Sequence, residues 1–244
     1  MLATENEPRF VKPKLKPIPS LHIMCVAFLT IAAHLEASII TVPNLPPGSQ
    51  YRLVFVTDGT YSAQSPDIST YNIDVTNEAN VIPQLALLGA TWTVIASTEL
   101  TSASSNIGAS TGGIYRLDGT LVANGTTGLF SGSLLSPIDI TSTGGPATGF
   151  VWTGTNTDGT ANLYPMGGVA PANATTTGFP THSDDQWVFS TFHRGSSQLL
   201  PLYAISSELT VPTPTPEPRS SFEIAVGIGL LLITLQRCSR RSRF

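Results

Sequence analysis

Residues 38–63 read SIITVPNLPPGSQYRLVFVTDGTYSA. Within this stretch Tyr51, Leu53 and Phe55 alternate with Arg52, Val54 and Val56, the two-residue period of a strand whose successive side chains face opposite ways. Turn-forming residues flank it on both sides. The period then changes. In STYNIDVTNEAN, residues 69–80, Tyr71, Val75 and Ala79 recur every four positions, and Ser69 or Thr70 supplies an N-cap, so an amphipathic helix is predicted. Pro83 opens a second short helix, Pro83–Leu88, which Gly89 closes, because proline suits a first helical turn and glycine a C-terminal cap. Trp92-Thr-Val-Ile-Ala leaves it as a strand.

After Ser97 helical periodicity fades, and turns punctuate the chain at Asp118-Gly119, Asn124-Gly125, Gly144-Gly145-Pro146, Asp158-Gly159 and Gly167-Gly168. Between them lie short pieces: Ile114–Leu117, Thr120–Ala123, Gly149–Thr153, Gln186–Ser190 and Leu202–Leu209. The expectation is one α+β domain over residues 38–210, with helices early and a loop-rich, strand-poor second half. GTYSA, DGTLVANGT and TDGTAN look alike through shared turn chemistry, without a sustained repeat.

The 244 residues are 41% hydrophobic but only 11% charged, well below the roughly 25% of ordinary soluble domains. Charge is unevenly placed. Residues 38–216 hold three cations, Arg52, Arg116 and Arg194, against eleven carboxylates, a balance of −8. Such a surface does not seek nucleic acid, whose phosphates require Lys and Arg. Cys25 and Cys238 lie in the terminal segments, so no disulfide is expected within the domain, and its size makes one unnecessary.

Basic residues crowd both ends. Residues 9–37 run from Arg9, Lys12, Lys14 and Lys16 through an apolar stretch, Leu21–Ala33, to small residues ending at Ala37. That order is the grammar of a secretory signal peptide, assigned here to residues 1–37 with cleavage after Ala37 and Ala33 as the alternative. Near the other end, residues 211–221 form a proline-rich spacer that favours extended polyproline II. Residues 222–236 follow as a predicted transmembrane helix. Its uncharged part, Ile224–Leu235, rises about 18 Å as a helix against a hydrocarbon core near 30 Å, a marginal span. Arg237, Arg240, Arg241 and Arg243 in the tail, residues 237–244, act as a stop-transfer cluster and predict a cytoplasmic end with an external domain.

The order Pro216-Glu217-Pro218, apolar helix, basic tail resembles the PEP-CTERM sorting signal of bacterial exported proteins. That resemblance implies a partner, an exosortase-type membrane peptidase that processes the chain near Pro216-Glu217-Pro218. It also implies a route: anchored in the inner membrane first, then delivered to the cell surface or the extracellular matrix. LGATWTVIAST, GGIYRLDGTLVANG, GFVWTGTNTDGTANLY, the Trp187 segment and LYAISSELTV together resemble a C-type-lectin-like or endostatin-like module. This second resemblance implies the corresponding fold and binding of extracellular polysaccharide. Trp92, Trp152 and Trp187, which carry part of it, are expected to pack in the core, as large aromatics usually do.

No enzymatic constellation stands out. His182 and His193 are the histidines outside the predicted leader, and His182-Ser183-Asp184-Asp185 holds the letters of a hydrolase triad. Adjacent side chains do not converge as a triad must, so a polar loop is the expectation. Asn156, Asp158, Asp184 and Asp185 offer oxygen ligands for calcium, but NTDGTAN lacks the EF-hand spacing and its terminal glutamate, so a solvated turn without metal or cofactor is expected, with calcium-linked sugar binding by the lectin-like fold as the alternative. Asn124-Gly-Thr and Asn173-Ala-Thr match glycosylation acceptors, a tripeptide common by chance in threonine-rich sequence. The expected role is structural or binding, with a lectin-like polysaccharide binder as the alternative and a secreted hydrolase third.

Overall fold

A computed structural model describes residues 40–168 and 173–213. The predicted signal peptide, Pro216-Glu217-Pro218, the helix at 222–236 and Arg237, Arg240, Arg241 and Arg243 lie outside these residues. Among the described residues no helix is long and apolar enough to cross a membrane.

The domain is α+β, and its first strand organises the rest. Strand β1, Gln50–Val56, is the segment with the two-residue alternation, and both of its faces are buried. Tyr51, Leu53 and Phe55 enter one hydrophobic core while Val54 and Val56 enter another. Helix α1, Ile68–Val81, lays Tyr71, Val75 and Ala79 on the first face. Its cap is Asp67, not Ser69 or Thr70: the Asp67 carboxylate accepts from the Ser69 amide at 2.9 Å. An aspartate outside the first turn satisfies an orphan amide more directly than a hydroxyl within it. Helix α2, Pro83–Ala86, is shorter than expected, and Gly89 takes the left-handed φ of +61° that ends it.

Strand β2, Trp92–Val94, follows, then helix α3, Ala103–Ile107, strands β3, Gly113–Arg116, and β4, Leu121–Asn124, and helix α4, Gly125–Leu129. Strands β5, Val151–Trp152, β6, Ala174–Gly178, β7, His193–Gly195, β8, Tyr203–Ser206, and β9, Leu209–Thr210, complete the described order. The main sheet runs β2-β8-β1-β3-β4, with β9 beside the start of β1, and the smaller sheet runs β5-β6-β7. β1 pairs parallel with β3 and antiparallel with β8 and β9. Asp118-Gly119 makes the β3–β4 hairpin, Gly119 holding a φ of +84°.

The second half is loop-rich as expected, yet it carries seven of the nine described strands, each of two to five residues, so "strand-poor" does not hold. The segment Gln186–Ser190 is a correction of another kind: Asp185–Trp187 is a 3₁₀ turn, because Asp184 accepts from the Gln186 amide and caps it. The clearest omission is β6, ATTTG. Thr175, Thr176 and Thr177 are fully buried, and each hydroxyl has a partner: the Pro165 carbonyl, Asn162 Oδ1 and the Phe192 carbonyl. β-Branched shape suits a strand, and satisfied hydroxyls remove the penalty that polarity suggests.

Candidate functional site

The register of the smaller sheet gathers three phenylalanines at one end. Val151 pairs with Gly178, so the flanking Phe150 and Phe179 fall side by side, their ring centroids 4.8 Å apart. Thr176 pairs with His193, which brings the preceding Phe192 next to them, 6.1 Å from each ring. His182 lies 5.2 Å from Phe179, and the Arg194 guanidinium sits 4.1 Å above the Phe150 ring, a cation–π geometry. None of the three phenylalanines belongs to either hydrophobic core, and Phe192 is 54% exposed. The three rings form one partly exposed aromatic group, with Phe150 and Phe179 half-buried and Phe192 open.

The cluster also has a definite position. β1 begins at Gln50, paired with Thr210, and ends at Val56, about 20 Å away at strand rise. The chain ends of the domain meet at the Gln50 end, where the Gly48 amide donates to Val211 and the Val211 amide to Ser49. The smaller sheet attaches at the opposite end, through the Trp152–Leu202 bridge and the Thr57 amide's bond to Leu202.

A second polar group lies where β1 leaves the sheet. Glu78 of α1 accepts from the amides of Asp58 and Gly59 and from the Tyr61 hydroxyl at 2.9 Å. Ser142 Oγ lies 2.6 Å from Glu78 and 2.8 Å from Asp58, and Thr143 donates to Asp58 through both its amide and its hydroxyl. Burial alone would raise the Asp58 carboxyl, but the bonds from Thr143, Ser142 and Thr141 outweigh it and hold it below the ordinary carboxylate value. Burial first, and then the Glu78 carboxylate, push the Tyr61 phenol far above its usual value, so it stays a donor. Both Glu78 oxygens and Asp58 Oδ2 are engaged with the chain itself. The group ties α1 to the β1 exit and to the 141–145 turn, and the adjoining hollow of about 200 Å³ is below the roughly 300–1,000 Å³ of small-molecule sites.

The residues singled out from sequence separate. His182 Nδ1 contacts Asp184 Oδ1 at 3.1 Å on an exposed loop. His193 instead stacks on Tyr164 at 4.0 Å and meets Thr176 Oγ1 at 3.3 Å, a buried hydroxyl already bonded to Asn162. Asp158 closes its own turn onto Thr160, and Asn156 bonds Thr160, Ala161 and Asn162 in the same loop. Asp184 and Asp185 belong to the 3₁₀ turn and do not join them. Among the described residues no three His, Cys, Asp or Glu side chains are placed to hold a metal ion. All three tryptophans are buried, Trp92 and Trp152 in the first core and Trp187 in the second. Asn124 and Asn173 are exposed, Asn173 with a φ of +50°.

Sequence reasoning overlooked the phenylalanine cluster because its members stand alone, each at the end of a short strand. Only cross-strand register makes them neighbours. No protein-family model matches the chain, and no curated protein matches it.

Proposed function

We propose that this is an exported bacterial cell-surface or extracellular-matrix protein with a structural or binding role, delivered through a PEP-CTERM-type signal. In this reading Pro216-Glu217-Pro218 is the recognition motif for an exosortase-type membrane peptidase. The apolar segment 222–236 holds the chain in the inner membrane until processing, and Arg237, Arg240, Arg241 and Arg243 stop transfer. The supporting observation is the meeting of the domain's two ends at Gly48–Gln50 and Leu209–Val211. Val211 leads straight into the proline-rich spacer, so one tether at one end of β1 leaves the rest of the domain facing outward. The early helices and loop-rich second half support the finer assignment to a C-type-lectin-like or endostatin-like module.

Intact mass of the protein recovered from membrane, surface and medium tests the sorting reading. Surface and medium forms should start near Ser38 and lack Arg237–Phe244. Recovery of the full 244-residue chain in every fraction would overturn it. A second reading, a lectin-like binder of extracellular polysaccharide, is favoured by the partly exposed phenylalanine cluster on the smaller sheet, which joins the main sheet at the Val56 end of β1.

A further inference from the structure

We propose that Phe150, Phe179, Phe192, His182 and Arg194 form a binding site for a carboxylate-bearing sugar polymer. The open Phe192 ring, backed by Phe150 and Phe179, takes the C–H face of a pyranose, and the Arg194 guanidinium takes its carboxylate. The proposal rests on the polysaccharide reading and names the site and the class of sugar.

Size argues first. A phenylalanine side chain offers ~200 Å², so with Phe192 half exposed and the other two rings less so, at most about 250 Å² of ring surface is open. A stable protein partner buries about 800 Å² on each side, of which these rings would supply under a third. The open area instead matches one or two sugar rings, whose C–H faces suit the electron-rich face of an aromatic ring. The residues flanking His182 and preceding Phe192 in the chain, Thr181, Ser183 and Thr191, are exposed hydroxyls, suited to sugar hydroxyls rather than to an apolar peptide.

Charge argues second. Arg52 is spent on the carbonyls of Ser206 and Ile107, and Arg116 on Asp118 and Asp139. Among the described residues Arg194 is the one Arg or Lys with neither a carboxylate nor a carbonyl partner, and it stands over a ring of the cluster. A guanidinium fork with free donors matches a carboxylate in both shape and charge. The domain's overall balance of −8 opposes a polyanion only at range, since at physiological ionic strength charges beyond about 8 Å are screened. Two carboxylates, Asp184 and Asp185, lie on the loop beside His182, and Asp184 is engaged with His182 and with the Gln186 amide.

The test measures binding of the full-length chain, held in mild detergent with a calcium chelator, to polygalacturonate and to its methyl ester. The ester keeps the sugar rings and loses the charge. Polygalacturonate should bind more tightly, and the difference should vanish in 1 M salt. Arg194→Gln should weaken polygalacturonate roughly tenfold and leave the ester unchanged, whereas Phe192→Ala should weaken both and Phe192→Trp should retain both. Unchanged melting temperatures show that these substitutions leave the fold intact. Polymer binding indifferent to Arg194→Gln and Phe192→Ala overturns the site and leaves the polysaccharide reading standing. No binding to either polymer overturns both and leaves the export reading to the mass measurement. Self-association of the wild type abolished by Phe192→Ala would overturn the proposal in favour of a contact between copies.

Discussion

Glu78 shows how one side chain can join three pieces of backbone. Its two oxygens receive the Asp58 and Gly59 amides, the Tyr61 phenol and the Ser142 hydroxyl, so truncation strands several donors at once. Glu78→Ala should therefore cost about 2–4 kcal/mol, read as a lower urea midpoint, because partly buried donors left without partners lose more than a mean hydrogen bond is worth. The neighbouring Asp58 sets a pH dependence. Its folded carboxyl is held below the unfolded value, so the stabilisation is complete above about pH 4 and is lost as pH falls through the folded value. Asp118, raised by burial but lowered further by Arg116 and Thr120, acts in the same direction, while Asp74, raised by burial, acts against it. Urea midpoints of wild type and Asp58→Asn should thus differ at pH 6 and converge toward pH 3. A constant difference across that range would show that Asp58 does not titrate with folding.

At the scale of elements, β6 is the strand on which the smaller sheet depends. It pairs with β5 on one side and β7 on the other, and its buried threonines replace an apolar core by a hydroxyl network. Gly178 closes that strand where the Trp187 carbonyl crosses it. A Cβ there would lie 2.0 Å from the Trp187 oxygen, a backbone atom that cannot swing aside. Gly178→Ala should cost at least about 3 kcal/mol, seen as a lower melting temperature, because the clash forces the 3₁₀ turn and its tryptophan off the second core. Its φ is not in the left-handed region, so the cost comes from space rather than backbone strain. Helix α1 behaves oppositely: its pattern is local, and Asp67→Ala, which removes its cap, should lower the melting temperature less than Gly178→Ala does. Periodicity makes α1 legible from sequence, whereas β6 has no apolar alternation and β7, His193–Gly195, is too short to show any.

For the whole domain, the consequential fact is that β1 faces both cores. Leu53 and Phe55 enter one and Val54 and Val56 the other, so neither core can open without exposing the other face of the same strand. Unfolding is expected to be one cooperative transition. The tryptophans make this measurable, since Trp92 and Trp152 report the first core and Trp187 the second. Fluorescence of Trp187→Phe, and of a Trp92→Phe, Trp152→Phe double variant, should each give a urea transition coincident with that variant's own far-ultraviolet circular dichroism. Separate transitions would mean that the cores fold independently.

The sequence alone determined the features whose physics is local: the alternation of β1, the four-residue period of α1, the glycine turns and the aromatic residues destined for burial. Its terminal segments likewise carry their proposed sorting meaning through order and composition. Tertiary structure decided what depends on cross-chain register. Phe150, Phe179 and Phe192 are 29 and 13 residues apart in succession, and they meet because Val151 pairs with Gly178 and Thr176 with His193. Likewise, among the described residues, Arg194 is the cation with no carboxylate or carbonyl partner because folding commits Arg52 and Arg116 elsewhere. Contacts between distant residues have no period to read, so the proposed binding surface emerges only when the strands are laid side by side.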